Sequence, residues 1–211
     1  MEIILLVFIV VVQNIAVFFD NYAIFYLTSR YNSKKIATVY SNKFKIDFLS
    51  RCFLFFTPPL LGLILTQDNL YLLLLSLLIS SFFTFHLTLI QVIWFLKEIK
   101  MRFLFPKNLK NFILLIVGLV VYGTYLYVPF YLNIIGYYFK ENSLWIVQLS
   151  PALTVFSTIF VVYYMDPKIA KFIDSSKTNR KYEVIFELIT IRMLGRFIIL
   201  LSSLFLFFTF I

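Results

Sequence analysis

Long unbroken apolar runs, not short alternating segments, set the pattern of this chain. Six of them stand out, at 3–27, 44–65, 70–96, 111–132, 144–165 and 184–211. A helix that crosses a bilayer needs roughly 20 mostly apolar residues. Strands of a membrane barrel would instead alternate over about ten residues and would show turn signals between them. The pattern therefore predicts an all-α, polytopic membrane helical bundle of about six transmembrane helices. No segment between the runs is long enough to fold alone, so residues 1–211 are expected to form a single integral membrane domain.

Composition sharpens the picture. The chain is 62% hydrophobic, 20% aromatic and 14% charged, whereas an ordinary soluble domain is about a quarter charged. Its net charge of +9 raises nucleic acid as a partner, but the placement of the charge argues against it. Fifteen of the 19 Lys and Arg residues fall in or beside three segments, 28–43, 97–110 and 166–183, which separate alternate runs. The other connections, TQDN at 66–69 and the stretch around Lys140, carry one basic residue between them. That asymmetry is the positive-inside signal, and it predicts an N-out, C-out orientation in the cytoplasmic (inner) membrane with three cytoplasmic loops. Cys52 is the only cysteine, so no disulfide framework is expected. Glu2 stands where a signal peptide would carry basic residues, and the first run is expected to be retained as a helix.

Polar residues inside the runs carry the chemistry. In the first run Gln13, Asn14, Asp20 and Asn21 recur at seven-residue spacing and share one helix face. Neutral members of such a stripe serve as interhelical hydrogen-bonding groups, but a carboxylate in hydrocarbon is costly enough to need a partner or a task. Arg51 in the second run lies about 10 Å from its cytoplasmic end, at a depth like that of Asp20. Two readings stand: an ion pair with Asp20, or an arginine that snorkels to the interface. Pro58 and Pro59 remove two amide donors deep in the same run, with Gly62 a turn later, so this helix is expected to kink or break. The three are hinge candidates, since broken helices mark many transporter sites, and a packing kink is the alternative.

The third run lines up Ser76, Ser80, Thr84, Thr88 and Gln91 on one side, with His86 pointing elsewhere; a lone histidine makes no metal site. Ser150, Thr154, Ser157 and Thr158 repeat the small-polar theme in the fifth run, a composition that favours close helix packing. Arg192 and Arg196 share a face of the last helix, about 12 and 18 Å past its cytoplasmic end. Asp20 is expected to neutralise one of the three intramembrane arginines. The surplus suits a phosphate or diphosphate, which the planar guanidinium binds through paired N–H groups.

The run DNYA (20–23), then KKIA (34–37), SR (50–51) and PPLLG (58–62), resembles the early signature of the Amj family of lipid II flippases. SPALTVFSTIF (150–160), MDPKIAKFID (165–174) and IRMLG (191–195) resemble its late signature. The resemblance matches Asp20, Arg51, Asp166, Asp174 and Arg192 to family positions. It does not match Arg196, where the family carries a small polar residue, and IFYL at 24–27 replaces the residues that follow the family's acid. It implies a flippase that moves lipid II, or a related polyprenyl-diphosphate precursor of the cell wall, from the inner to the outer leaflet. The substrate-binding residues would be Arg51, Arg192, Arg196 and Asp20, with Asp166 and Asp174 as loop contacts and no cofactor or metal.

Two other classes compete. An intramembrane phosphatase or hydrolase would need several histidines, an aspartate cluster or a G-x-S-x-G elbow, none of which is present, so no enzyme is expected. A non-catalytic accessory or scaffold subunit, its charges paired only for structure, remains open. The expected partners are the lipid-linked substrate and membrane lipids, with a homodimer an option because six helices make a small cage for a bulky headgroup.

Overall fold

The computed structural model describes residues 2–30, 36–99, 125–160, 163 and 178–210. Every described element is helical: α1 (Glu2–Arg30), α2 (Ile36–Leu54), α3 (Thr57–Thr66), α4 (Leu70–Ile99), α5 (Val128–Tyr138), a 3₁₀ turn (Lys140–Asn142), α6 (Ser143–Phe160) and α7 (Thr178–Phe210). Among the described residues four stretches are long and apolar enough to cross a membrane: Glu2–Tyr26, Ser41–Thr66, Leu70–Phe95 and Thr190–Phe210. They correspond to the first, second, third and last expected spans. Most of the fourth run, 111–124, lies outside the described residues. Its described end differs from expectation, because the helix there starts at Val128 and continues past Leu132 to Tyr138.

The second run is two helices. Pro58 and Pro59 have no N–H to give, so the carbonyls four residues upstream lose their donors and α2 ends at Leu54. Phe55 and Phe56 form the turn, and the prolines then open α3 in its first turn, where a fixed φ suits a helix start. The expected kink is thus a full break. Downstream, Asp68 adopts a left-handed conformation (φ 55°) that ends the connection from α3. Asn69 then accepts the Leu72 N–H at 2.9 Å and caps α4.

α1 packs against both α2 and α4, α4 against α7, α5 against α6, and α3 bridges to α5. One end of the bundle gathers Glu2, whose carboxylate accepts from Asn69 at 3.3 Å, and the exposed Lys140–Asp68 pair at 2.6 Å. The N-terminus and the connections after α3 and α5 therefore share one end, as the alternating loops require.

The faces are arranged inside out relative to a water-soluble bundle. In α4, Ser76, Ser80, Ser81, Thr84, Thr88 and Gln91 are buried, while Phe82, Phe83, Ile90, Ile93 and Trp94 are exposed. In α7, Arg192, Arg196 and Ser203 are buried, while Phe197, Leu201, Phe205 and Phe208 are exposed. Apolar area of this extent stays out of water only against another apolar medium. Placing polar groups between helices is the arrangement that lipid imposes.

Gly62 sits inside α3 with nothing within 4 Å of where a Cβ would stand. No close contact requires a glycine there, so Gly62→Ala is expected to stabilise the helix by about 0.5–1 kcal/mol. Unfolding in detergent measures it; a loss of stability would show that the glycine is needed for a conformation other than this one.

Candidate functional site

Asp20 is the centre of the site, and two arginines from α7 hold it. Arg192 Nη1 donates to Asp20 Oδ2 at 2.7 Å and also to the Asp20 carbonyl at 2.7 Å. Arg196 Nη2 reaches the same Oδ2 at 3.2 Å. The other carboxylate oxygen, Oδ1, accepts from the Tyr125 hydroxyl at 3.1 Å. The Arg196 side chain is 0% exposed and that of Asp20 8%, so the group is well removed from solvent.

Neutral groups complete the cluster. Arg196 Nη1 donates to Asn21 Oδ1 at 2.8 Å and to the Thr88 hydroxyl. Asn21 in turn donates to Gln91 Oε1 at 2.6 Å and to Thr88 Oγ1 at 3.3 Å. The stripe read from α1 and the stripe read from α4 thus meet each other, and both meet the arginines. Gln13, about two turns further along, donates to the Leu126 carbonyl at 2.8 Å and accepts from Thr57 at 3.3 Å. It joins α1 to the start of α3 and to the segment before α5. Asn14 bonds back to Val10 on its own helix.

Two expectations are corrected. Asp20 does not pair with Arg51; it binds Arg192 and Arg196 together, two arginines rather than one. The reason is register. α1 runs on to Arg30 and α2 begins at Ile36, so Asp20 is ten residues from its helix end and Arg51 fifteen from its own. The five-residue difference is about 7.5 Å along the axis, more than a turn. Ser50 accordingly lies beside Ala16, whose carbonyl it reaches at 2.7 Å. Arg51 is half-buried, and its side chain has no hydrogen-bond or ion-pair partner among the described residues.

The second correction concerns Lys43, which the charge pattern places in a cytoplasmic loop. It lies inside α2, buried, and pairs with Asp47 at 3.0 Å. Asp47 is the acid level with Asp20, close enough to feel both Asp20 and Arg192. The i, i+4 spacing of Lys43 and Asp47 was a readable signal for this pair. Tyr125 had none: its role comes from where the chain enters α5.

His86 is exposed, with Nδ1 on the Phe82 carbonyl at 2.8 Å, and points away from the cluster as its helical angle requires. Pro58, Pro59 and Gly62 lie at the break and in α3, away from the ion pairs. Asp166 and Asp174 lie outside the described residues. A crevice of about 10 Å³, room for a single water, borders the cluster and is lined by Asn21, Thr88 and Arg192 with Ile24, Phe25 and Val92.

Among the described side chains, Lys43 pairs with Asp47, Asp20 with both Arg192 and Arg196, and Arg51 lies half-buried on the neighbouring helix. The fold and the cluster together define an all-helical, membrane-type bundle with a buried ion cluster. No family model, no curated protein and no solved structure matches the chain.

Removing one partner from a buried ion pair costs on the order of 3–5 kcal/mol, so Asp20→Asn is expected to destabilise the protein by that amount. Gln13→Ala leaves only neutral groups unsatisfied and should cost about 1–3 kcal/mol. Lys140→Ala, at an exposed pair, should leave stability unchanged. Unfolding of the three variants in detergent checks the ranking; equal losses for Asp20→Asn and Gln13→Ala would reduce Asp20 to ordinary helix packing.

Proposed function

We propose that the chain is a transporter of the flippase type, moving a polyprenyl-diphosphate-linked cell-wall precursor such as lipid II between leaflets of the cytoplasmic membrane. The observation that carries this reading is the pair of guanidinium groups buried on one carboxylate, with Arg51 half-buried on the neighbouring helix. Fixed guanidinium pairs of this kind suit the oxygens of a diphosphate. The resemblance of segments 20–62 and 150–195 to the Amj family points the same way. In this reading Arg51, Arg192 and Arg196 bind the diphosphate and Asp20 holds the arginines in its absence. The break at Phe55–Phe56, opened by Pro58 and Pro59, is where one part of the bundle rocks against the other. Asp166 and Asp174 are assigned as contacts on the cytoplasmic face.

The remaining assignments belong to the same proposal: about six spans in one membrane domain, termini outside, no catalytic step and no cofactor, with a homodimer as an option. No nucleic acid is involved. A second reading has an observation of its own. Because Asp20 takes up both arginines internally, the cluster also fits an accessory subunit in which the charges only pin helices together.

Transport of a labelled polyprenyl-diphosphate sugar by the purified protein in liposomes separates the two. Arg51→Lys and Arg192→Lys keep the charge but lose the planar fork. Each is expected to slow transport about tenfold or more, the cost of a charge-assisted hydrogen bond, while the protein stays in the membrane at normal levels. Unchanged transport by both variants would remove the arginines from the substrate path, and no transport by the unmutated protein would favour the accessory subunit.

A further inference from the structure

We propose that Phe25 and Phe95 control access to the arginine cluster. With Ile24 and Val92 they form a thin apolar seal, and a ligand reaches Arg192 through the crevice beneath it, from the end of the bundle where α1 stops. The inference takes the cluster as the site of the proposed function and adds the direction from which that site is reached.

The crevice sets the direction. Its polar wall is Asn21, Thr88 and Arg192, and its apolar wall is Ile24, Phe25 and Val92. Phe25 follows Asn21 by four residues on α1, and Val92 follows Thr88 by four on α4. The apolar wall therefore stands one turn, about 6 Å, beyond the polar one. α1 and α4 run the same way: Glu2 meets Asn69 ahead of α4, and Asn21 meets Thr88 and Gln91 further along. Hence the apolar wall faces the helix ends at Arg30 and Ile99, opposite the end that gathers Glu2, Asp68 and Lys140.

The barriers toward the two ends are unequal. Toward Arg30 and Ile99, the buried apolar cluster among the described side chains is Ile24, Phe25, Val92 and Phe95. Phe25 and Phe95 are both buried and stack with ring centroids 4.5 Å apart and planes 20° from parallel. Toward Glu2 stands the main core, which runs from Val17 back to Ile9 on α1 and from Leu77 back to Leu72 on α4. Its stretch on α1 alone covers about 12 Å, more than two turns. A stack of two rings opens when side chains change rotamer, a motion of single residues. A core of that depth opens only when whole helices separate. Size then makes the rings selective. The crevice of about 10 Å³ admits one water, so anything as large as a phosphate touches Arg192 only after the rings have moved aside.

Thiol labelling of the full-length protein in sealed lipid vesicles tests this. Cys52 is first replaced by Ser, and Thr88→Cys puts a reporter on the polar wall of the crevice; Val92→Cys serves instead if that variant does not fold. The probe is a charged, membrane-impermeant methanethiosulfonate added to one side at a time. In Phe25→Ala and Phe95→Ala, labelling from the side of Arg30 and Ile99 is expected to rise about tenfold, the scale of one aromatic contact. Labelling from the other side should stay slow. Phe130→Ala, which cuts into the main core, should leave both rates unchanged. Where an alanine variant fails to fold, Phe95→Leu keeps an apolar side chain, removes the stack and should show the same one-sided rise. Unchanged labelling in the seal variants overturns the proposal, as does a rise of equal size from both sides or in Phe130→Ala. Transport of the labelled polyprenyl-diphosphate sugar is followed in the same vesicles. A one-sided rise supports the seal even where the unmutated protein transports nothing, an outcome that removes the proposed function instead.

Discussion

Two guanidinium groups on a single carboxylate are the constraint around which this bundle is arranged. α1 and α7 touch each other little and lean instead on α4, which lies between them. The arginines of α7 reach past α4 to Asp20 on α1, and Thr88 and Gln91 of α4 line the way. At an effective dielectric constant near 20, each attraction at such distances is worth on the order of 4 kcal/mol, and the repulsion between the two arginines returns part of it. Desolvating three charges costs several kcal/mol per ion. Such a cluster contributes little net stability, but it allows very few arrangements of the three helices, because any slip leaves a charge alone in a dry interior.

The neutral side chains follow from the same constraint. Arg196 has more donors than Asp20 can accept, so Asn21 and Thr88 take part of the remainder. Asn21 can present its oxygen to Arg196 only if its amide nitrogen faces the other way, and Gln91 and Thr88 wait there as acceptors. Further along, Thr84 meets the Tyr127 hydroxyl, Ser81 meets Ser203 at 2.7 Å, and Tyr131 meets Ser202 at 2.6 Å. Between lipid-exposed helices there is no hydrophobic gain from association, and small side chains with hydrogen bonds, each worth about 0.6 kcal/mol, take its place. The serine and threonine spine of α4 is therefore the common wall to which α1, α7 and the start of α5 attach.

How much of this was legible depended on whether the information was local. Runs of apolar residues and Pro58–Pro59 act within their own segment, so four spans and the break in the second could be read directly. The same holds for His86, whose angle on one helix decides its direction. Asp20 and its partners are a different matter, because pairing depends on how far each helix extends beyond its apolar core. Residues 28–30 and 36–43 are polar enough to look like loop, yet they are helical, and the added turns carry Arg51 past Asp20 and bring Asp47 level with it. Hydropathy marks where lipid begins, not where a helix ends. Tyr125 was beyond reach for a stronger reason: its contact with Asp20 spans 105 positions of sequence, and no spacing rule acts over that distance.

Arg196 shows how a second buried cation can be accommodated. A full guanidinium stands at a fully buried point of α7, one turn from Arg192. A lone second cation there would be expelled or would break the bundle, yet the site already contains what it needs. Asp20 Oδ2 has a lone pair to share, Asn21 an amide oxygen, and Thr88 a hydroxyl. Of the three only Asp20 is charged; Asn21 and Thr88 accept as neutral groups. Arg196 Nε is left without an acceptor among the described residues, so even this cluster does not satisfy every donor it buries.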